Sequence, residues 1–351
     1  MHNLFVVHTQ YSLSLAMGMA KGRFINDTND LILFKDFKFT PEINETLNAN
    51  FNKSLQLEGA YPKSNTSLKN RLKNYIKAIK ESEKFITSKY NRVFIVLDMN
   101  LPEMRIMKMA YKLNPEVNFI ALEDGSYPYF LNYVTSGGLD SNQFARKFRK
   151  FLFKYLLGCG RFYSFEGRFM GANTWLKEIY LTYKDHARSL YINKKKVEIS
   201  AEEFKSGIDL LFPKTATGIS KNSVILILDK LDVYADLNKI KLLVSEMVTV
   251  LLDKGRKIYY KYHPRETSSL NELKNCIELD RNIAIESYYK TLVNHNPLIV
   301  GIKSTGLQTA KKMGFNVTSL AKVANEDNPD VTAFYEKIGI IILTNLSELK
   351  L

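Results

Sequence analysis

The chain has 351 residues, which is long for a single core and sufficient for two domains. Hydrophobic residues make up 45% and charged residues 25%, as in soluble globular proteins, and no apolar run approaches the roughly 20 residues of a membrane-spanning helix. The formal charge of +14 favours an anionic partner: nucleic acid, a membrane surface, or an acidic small molecule or glycan. The N-terminus lacks the form of a signal peptide, and the two cysteines form no metal or disulfide pattern, so we expect a cytoplasmic location.

Short apolar, β-branched runs alternate with helix-like segments along the chain. The predicted strands are residues 3–8, 30–34, 92–98, 117–123, 223–229, 257–263, 297–303, 316–321 and 339–344. Such runs, with helices between them, are typical of parallel sheets that are buried on both faces. Apolar spacing predicts a helix over 239–253.

The polar stretch 191–222 indicates a domain boundary. We therefore predict an α/β fold with two Rossmann-like domains, residues 1–220 and 221–351. Ligands of such folds bind at the carboxyl ends of the strands, here in a cleft between the domains.

Residues 142–165 read NQFARKFRKFLFKYLLGCGRFYSF, which is a basic amphipathic pattern. A helix of this kind either docks its apolar face on the core or lies on an anionic bilayer. A groove for an acidic glycan is a third interpretation. No nucleic-acid-binding motif accompanies the charge, so nucleic acid is not an expected partner.

Polar clusters lie at the carboxyl ends of three of the predicted strands. They are Glu123-Asp124-Gly125, Lys261-Tyr262-His263-Pro264 and Ser304-Thr305-Gly306. A carboxylate serves as a general base, and a histidine donates a proton to a leaving phosphate. Hydroxyl and N–H groups at a helix N-terminus bind phosphate. Together the clusters suit attack by a hydroxyl on a carbon that bears a phosphate leaving group.

The residues His8, Thr9 and Gln10 lie at the end of the first predicted strand and are candidates for contact with an acceptor or a nucleotide. The sequence contains no P-loop, no GxGxxG and no His/Cys cluster with metal-ligand spacing. We therefore expect neither a metal nor another cofactor.

The order EDG, KYHP and ST resembles the shared motifs of the bacterial sialyltransferases with the GT-B fold. The opening LFVVHTQYSLSLA is similar to that of the lipooligosaccharide sialyltransferases of glycosyltransferase family 52, and the polysialyltransferases of family 38 are the second match. The resemblance implies an acceptor-binding first domain and a donor-binding second domain. It also implies inverting, metal-independent transfer of sialic acid, or a related nonulosonic acid, from a CMP-sugar to a lipooligosaccharide or capsule glycan.

The resemblance assigns roles to the site candidates. Glu123 would deprotonate the acceptor hydroxyl, and Asp124 would orient the loop or exchange roles with Glu123. His263 would stabilise or protonate the departing CMP. The nucleotide pocket would comprise Lys261, Pro264, Ser304, Thr305, Gly306 and, in AIESYYKTL, Glu286 at the ribose. The acceptor side would include His8, Thr9, Gln10 and Gly125. The helix that closes many GT-B enzymes has no counterpart in the final NLSELKL.

Other functions stay open at the level of sequence. GIKSTGLQTAKKMGF also resembles an element of the UDP-sugar 2-epimerases, which share the GT-B fold. A non-enzymatic basic α/β protein that binds a membrane or nucleic acid is another alternative, and so is a transferase that uses another CMP-activated acid. The expected location is the cytoplasm, with peripheral binding to the inner face of the bacterial membrane through 142–165. A homodimer is also left open.

Overall fold

A computed structural model describes residues 1–37, 41–59, 68–129, 147, 150–163, 170–213, 218–264, 266–292 and 294–349. The chain divides into two compact units, Met1–Leu211 and Phe212–Leu351. The sequence placed this boundary after residue 220, beyond the short helix that ends the first unit. Each unit contains one parallel sheet with helices between its strands, as the fold class predicts.

The sheet of the first unit has seven strands in the order β3-β2-β1-β4-β5-β6-β7. The strands are β1 (His2–Val7), β2 (Thr28–Lys35), β3 (Lys53–Glu58), β4 (Arg92–Ile95), β5 (Asn118–Leu122), β6 (Leu176–Leu181) and β7 (Lys195–Glu198). All neighbouring pairs are parallel. The described helices are α1 (Gln10–Lys21), α2 (Pro41–Asn50), α3 (Leu68–Phe85), α4 (Leu101–Leu113) and α5 (Ala201–Leu211).

The sheet of the second unit has six parallel strands in the order β10-β9-β8-β11-β12-β13. The strands are β8 (Ser223–Ile227), β9 (Lys257–Lys261), β10 (Ile277–Glu278), β11 (Leu298–Gly301), β12 (Asn316–Ser319) and β13 (Ile341–Ile342). The described helices are α6 (Leu237–Asp253), α7 (Ile285–Leu292), α8 (Thr305–Lys312) and α9 (Pro329–Lys337). The helix predicted over 239–253 is confirmed as α6.

Burial explains why the central strands lack an apolar–polar alternation. Residues 4–7 of β1 and residues 224–225 of β8 are wholly buried, because helices cover both faces of each sheet. In each sheet the strand order reverses beside the first strand, between β1 and β4 and between β8 and β11. In open α/β sheets, ligands bind outside the carboxyl ends of the strands at such a switch point.

Two glycines allow α1 and α5 to cross closely. A Cβ atom on Gly18 would lie 1.9 Å from the carbonyl oxygen of Glu203, and one on Gly207 would lie 1.9 Å from the carbonyl oxygen of Ser14. The guanidinium of Arg23 donates to both carboxylate oxygens of Glu203 beside this crossing. The pair of helices therefore covers its part of the sheet with backbone in contact with backbone.

The basic amphipathic segment 142–165 is described only in part, and Phe144, Phe148 and Arg149 lie outside the described residues. Leu152–Leu156 forms a helical turn of the π type. Its apolar side chains point both ways: Phe153 and Leu157 pack against a buried cluster, whereas Phe151 and Tyr155 are 51% and 63% exposed. No described helix is long and apolar enough to cross a membrane.

Candidate functional site

Glu123 follows β5 and is only 1% exposed. The hydroxyls of Tyr11 and Thr182 donate to its Oε1, the latter at 2.7 Å. The hydroxyl of Tyr129 and the backbone N–H of Thr182 donate to Oε2, the latter at 2.6 Å. Burial raises the pKa of Glu123, and these donors oppose the rise. Because an ionised carboxylate has about four acceptor positions, the donors occupy them all.

Asp124 lies beside this buried carboxylate and is half-buried. The hydroxyl of Thr9 donates to its Oδ1 at 2.6 Å. Oδ2 has no hydrogen-bond donor among the residues that the structure describes. Burial raises the pKa of Asp124, while the Thr9 hydrogen bond and the charge of His8 lower it. Gly125 then turns the chain with a φ of 61°, a left-handed conformation that favours glycine.

The turn between β1 and α1 supplies the partner of Asp124. Thr9 is the N-cap of α1 and forms a capping box with Ser12. Gln10 begins the helix and is half-buried. The side chain of His8, a predicted contact of an acceptor or a nucleotide, is fully buried in this structure. The reason is that carboxylates of neighbouring elements, Asp36 and Glu103, hold the ring inside the unit.

Asp98 is a further buried carboxylate at this edge of the sheet, after β4. It accepts hydrogen bonds from the backbone N–H groups of Gly171 at 2.8 Å and Asn173 at 2.9 Å. Burial raises its pKa to about 6, although these bonds and the charge of Lys194 oppose the rise. Asp98 therefore fixes the segment that enters β6 and that leads to Thr182.

In the second unit, Ser304 is the N-cap of α8, directly after β11 at the switch point of the sheet. Its hydroxyl accepts a hydrogen bond from the N–H of Gly306 at 3.3 Å. Two buried tyrosines fix the turn: Tyr335 donates to the carbonyl of Ser304 and Tyr289 to that of Gly306, both at 3.1 Å. Thr305 is the first residue of α8 and is half-buried. The hydroxyls and the helix dipole are suited to an anion.

Lys261 ends β9 and is 3% exposed. Its ammonium donates to the carbonyl of Arg281 at 3.1 Å and to that of Tyr262 at 3.4 Å. Burial lowers the pKa of Lys261 to about 8, and the nearby carboxylate of Glu286 opposes the fall. Burial also raises the pKa of Glu286, in the first turn of α7, while Lys261 lowers it. Lys261 and Glu286, both predicted for the nucleotide pocket, therefore interact electrostatically.

His263 and Pro264 continue from Lys261 beyond the end of β9. His263 is half-buried and Pro264 is exposed. The carbonyl of His263 accepts a hydrogen bond from the N–H of Glu266 at 2.8 Å, which closes the turn. Within the described residues, no group of three or more His, Cys, Asp or Glu side chains could hold a metal ion.

The structure thus brings the sequence candidates together in two sets, one in each unit. Thr9 meets Asp124 in the first unit, and Lys261 lies near Glu286 in the second. The chemical roles of all these residues stay predictions. Sequence reasoning missed the residues that surround the Glu123 carboxylate and the ring of His8. They are Tyr11, Asp36, Glu103, Tyr129 and Thr182. A pattern search along the chain gives little sign of them, although Tyr11 stands two residues after Thr9 and Thr182 follows β6.

A family model for the alpha-2,8-polysialyltransferases matches residues 3–323. The match covers both the Glu123–Gly125 turn and the Ser304–Gly306 turn. The resemblance to bacterial sialyltransferases that the motifs predicted is confirmed, through the second of the two families named. No curated protein matches the chain significantly.

Solved structures share the fold. The α/β-galactoside α-2,3-sialyltransferase of Photobacterium phosphoreum is 13% identical, with a TM-score of 0.53 and 99% of each chain covered. The GT-B domain of the sialyltransferase of Photobacterium damselae is 13% identical, with a TM-score of 0.50 and 97% of each chain covered. The UDP-GlcNAc 2-epimerase of Methanocaldococcus jannaschii is 13% identical, with a TM-score of 0.58, covering 99% of this chain and 90% of that one. At such identities the likeness shows the GT-B fold alone.

Proposed function

The chain belongs to the alpha-2,8-polysialyltransferase family, and we propose that it transfers sialic acid, or a related nonulosonic acid, from a CMP-sugar to a hydroxyl group of a surface glycan. The observation that carries this proposal is the turn at Glu123–Gly125. This turn lies within the range of the family match, at the carboxyl edge of the sheet. Thr9 binds one carboxylate oxygen of Asp124, and the other oxygen accepts no hydrogen bond from the residues that the structure describes. The reaction is a displacement with inversion, in which the acceptor oxygen bonds to the anomeric carbon as the bond to CMP breaks.

Asp124 is the general base in this proposal, and Glu123 positions it. A base must reach the proton that it removes, within about 2.6–3.2 Å. Glu123 would first have to release a tyrosine or threonine donor, because four donors occupy its oxygens. In Asp124, Thr9 donates a hydrogen bond to Oδ1, and Oδ2 can accept the proton of the acceptor hydroxyl. Burial raises the pKa of Asp124, which strengthens it as a base.

The donor binds to the second unit in this proposal. Ser304 and Thr305 hold the phosphate of CMP, with the N-terminal N–H groups of α8 and the helix dipole. His263 stabilises or protonates that phosphate as it departs, and Glu286 binds the ribose. Lys261 does not bind the phosphate directly in this proposal, because its ammonium donates to backbone carbonyls. It shapes the pocket and contributes positive charge.

Metal independence is part of the proposal. CMP leaves as a phosphate monoester, and protein groups can neutralise a single phosphate. In this proposal, the hydroxyls and N–H groups of the α8 turn and the side chain of His263 supply the donors. Activity that persists in EDTA supports this point, and activity that EDTA abolishes and a divalent cation restores overturns it.

Release of CMP from CMP-sialic acid tests the proposal. We would measure it in EDTA, with lactose and a sialylated oligosaccharide as separate acceptors and UDP-N-acetylglucosamine as the alternative substrate. Acceptor-dependent CMP release supports the proposal, and the more active acceptor identifies the class of glycan. Conversion of the UDP-sugar without CMP release refutes it in favour of an epimerase.

A second observation supports peripheral membrane binding, a separate proposal. In the described part of 142–165, the side chains of Phe151, Tyr155 and Leu156 are 51%, 63% and 66% exposed. Lys150 is exposed beside them, and the Lys154 ammonium lies 5.5 Å from the centre of the Tyr155 ring. Exposed aromatic side chains among lysines suit an anionic bilayer, where the rings enter the interface and the charges contact headgroups.

Flotation with vesicles tests this second proposal. We expect binding to phosphatidylglycerol-rich vesicles and little binding to phosphatidylcholine. Phe151→Ser with Leu156→Ser should abolish the binding. Ile192→Ser is the matched control, because Ile192 is 75% exposed in the same unit. Equal binding of wild type and the double variant to anionic vesicles would refute the assignment to this surface.

A further inference from the structure

His8 occupies an unusual place at the end of β1. Its ring is fully buried and lies face to face with Phe34, with 4.6 Å between ring centroids and 2° between ring planes. Nδ1 is 3.1 Å from Oδ2 of Asp36, and Nε2 is 2.5 Å from Oε1 of Glu103. Because an ionised carboxylate only accepts hydrogen bonds, the contact with Asp36 favours an N–H on Nδ1, and the Glu103 carboxylate beside Nε2 favours a positive charge on the ring as an ion pair. Both contacts are favourable at once when the ring is an imidazolium.

The charges around the ring agree with that reading. Burial lowers the pKa of His8, but the carboxylates of Glu103 and Asp36 outweigh burial and raise it to about 9. The carboxylates that act on the ring come from three elements: Asp36 follows β2, Glu103 lies in α4 and Asp124 follows β5. The side chains of Asp36 and Glu103 are 4% and 0% exposed, so water screens the ring little.

His8 is linked to Asp124 through the turn between β1 and α1 and through its charge. The next residue, Thr9, donates its hydroxyl to Asp124 Oδ1 at 2.6 Å. The backbone N–H of His8 donates to the hydroxyl of Ser12 in the capping box of α1 at 3.3 Å. In addition, the charge of His8 lowers the pKa of Asp124, whereas the charge of Asp36 raises it.

We propose that His8 is a positioning residue of the transfer reaction: a buried imidazolium, held between Asp36 and Glu103, that fixes Thr9 against Asp124 and keeps Asp124 ionised. This inference rests on the proposed function, in which Asp124 is the base. His8 itself is too deeply buried to touch a substrate or to exchange a proton with one.

NMR tests the imidazolium without any enzyme assay. The chain has five histidines, so long-range nitrogen–proton correlations resolve each ring, and His8→Gln identifies the signal of His8. We expect both ring nitrogens of His8 to stay protonated through neutral pH. A neutral tautomer at neutral pH would overturn the proposal, even if the enzyme is active.

Kinetics test the effect on Asp124. His8→Gln removes a cation, so the pKa of Asp124 should rise and the acidic limb of the kcat profile should move up by about 1 pH unit. Because Thr9 would also be held less firmly against Asp124, the plateau of kcat above that limb should fall about 10-fold. Asp36→Asn removes an anion, so the limb should move down. The KM for the donor should not change in either variant.

His2→Gln is the matched control, since Nε2 of His2 pairs with Asp30 at 2.9 Å at the other end of the same strand. It should leave the pH profile unchanged. If His8→Gln loses kcat but its acidic limb stays at the wild-type pH, His8 has a role in packing alone. The same conclusion follows if the acidic limb moves up in both His8→Gln and Asp36→Asn. If His8→Gln does not fold, the direction in which the acidic limb moves in Asp36→Asn tests the proposal: a downward shift supports it and an upward shift overturns it.

A folded wild type that transfers no sugar would refute the proposed function, and this role with it, whereas the NMR result concerns the imidazolium alone.

Discussion

Replacement of Glu123 with Gln reverses two of the four hydrogen bonds that the buried carboxylate accepts and removes the negative charge from all of them. A glutamine amide has one acceptor oxygen, and its NH₂ group would face donors instead. On one side those donors are Tyr11 and the Thr182 hydroxyl, and on the other they are Tyr129 and the Thr182 N–H. The hydroxyls of Tyr11 and Thr182 can rotate and accept hydrogen bonds from the NH₂ group, whereas the Thr182 N–H cannot. The amide therefore keeps its oxygen on the side of the Thr182 N–H, and all four bonds lose the charge of the carboxylate in a site that is 1% exposed.

The expected cost follows from the number of bonds. Hydrogen bonds to charged groups contribute about 1.5–3 kcal/mol each and neutral ones about 0.5–1.5 kcal/mol, so weakening four bonds by about 1 kcal/mol each lowers the free energy of unfolding by about 4 kcal/mol. In a domain of this size, each kcal/mol lowers Tm by about 2–4 °C, so we expect a fall of about 10 °C or more. Asp124→Asn is the control, since it perturbs a single bond, from Thr9, and should cost about 1 kcal/mol or less.

Thermal melts followed by circular dichroism, together with urea denaturation, measure the effect for both variants. A Glu123→Gln variant that melts with the wild type would refute the reasoning. If that variant is stable but inactive, Glu123 is the base after all, and Asp124 is its support.

Three further changes test other parts of the structure. Gly18→Ala should destabilise the first unit in urea by several kcal/mol or prevent folding, because its Cβ would lie 1.9 Å from a backbone oxygen; Gly218→Ala, with open space around it, should be tolerated. The folded-state pKa of Lys261 is about 8 against an ordinary 10.5, so the unfolded chain binds the proton more tightly and stability should rise with pH through this window, by up to about 1.4 kcal/mol per unit. Lys261→Met should flatten that rise in urea titrations, and an unchanged slope would contradict the assignment. Ser304→Ala should lower stability by about 1 kcal/mol through the lost N-cap, and should raise the KM for the donor more than it lowers kcat; an unchanged KM would remove Ser304 from the phosphate site.

Much of the fold could be predicted from the sequence because the central strands are buried on both faces. All nine predicted strands exist, within a few residues at their ends. The strands β3, β6, β7 and β10 were missed. The strands β7 and β10 lie at sheet edges and carry polar residues, and β6 includes Lys177 and Glu178. Without β6, the position of Thr182 beside Glu123 could not be foreseen.

The candidate site was predictable in its place but not in its orientation. Polar clusters after parallel strands meet at one edge of a sheet, so the sequence located Glu123 and Asp124 correctly in the fold. Which of the two faces inward depends on the turn that Gly125 makes and on donors far away in the chain. His8 was expected near the edge of the cleft, as a contact of an acceptor or a nucleotide. Its burial depends on carboxylates from two other elements, Asp36 and Glu103, and spacing along the chain reveals neither.

The most direct test of the account is the transfer activity of Asp124→Asn, measured with CMP-sialic acid and the preferred acceptor alongside a thermal melt. The account predicts a fall in kcat of about 100-fold to 10,000-fold, as for removal of a general base, with Tm and donor binding close to wild type. A folded Asp124→Asn variant that keeps most of the wild-type kcat would contradict it.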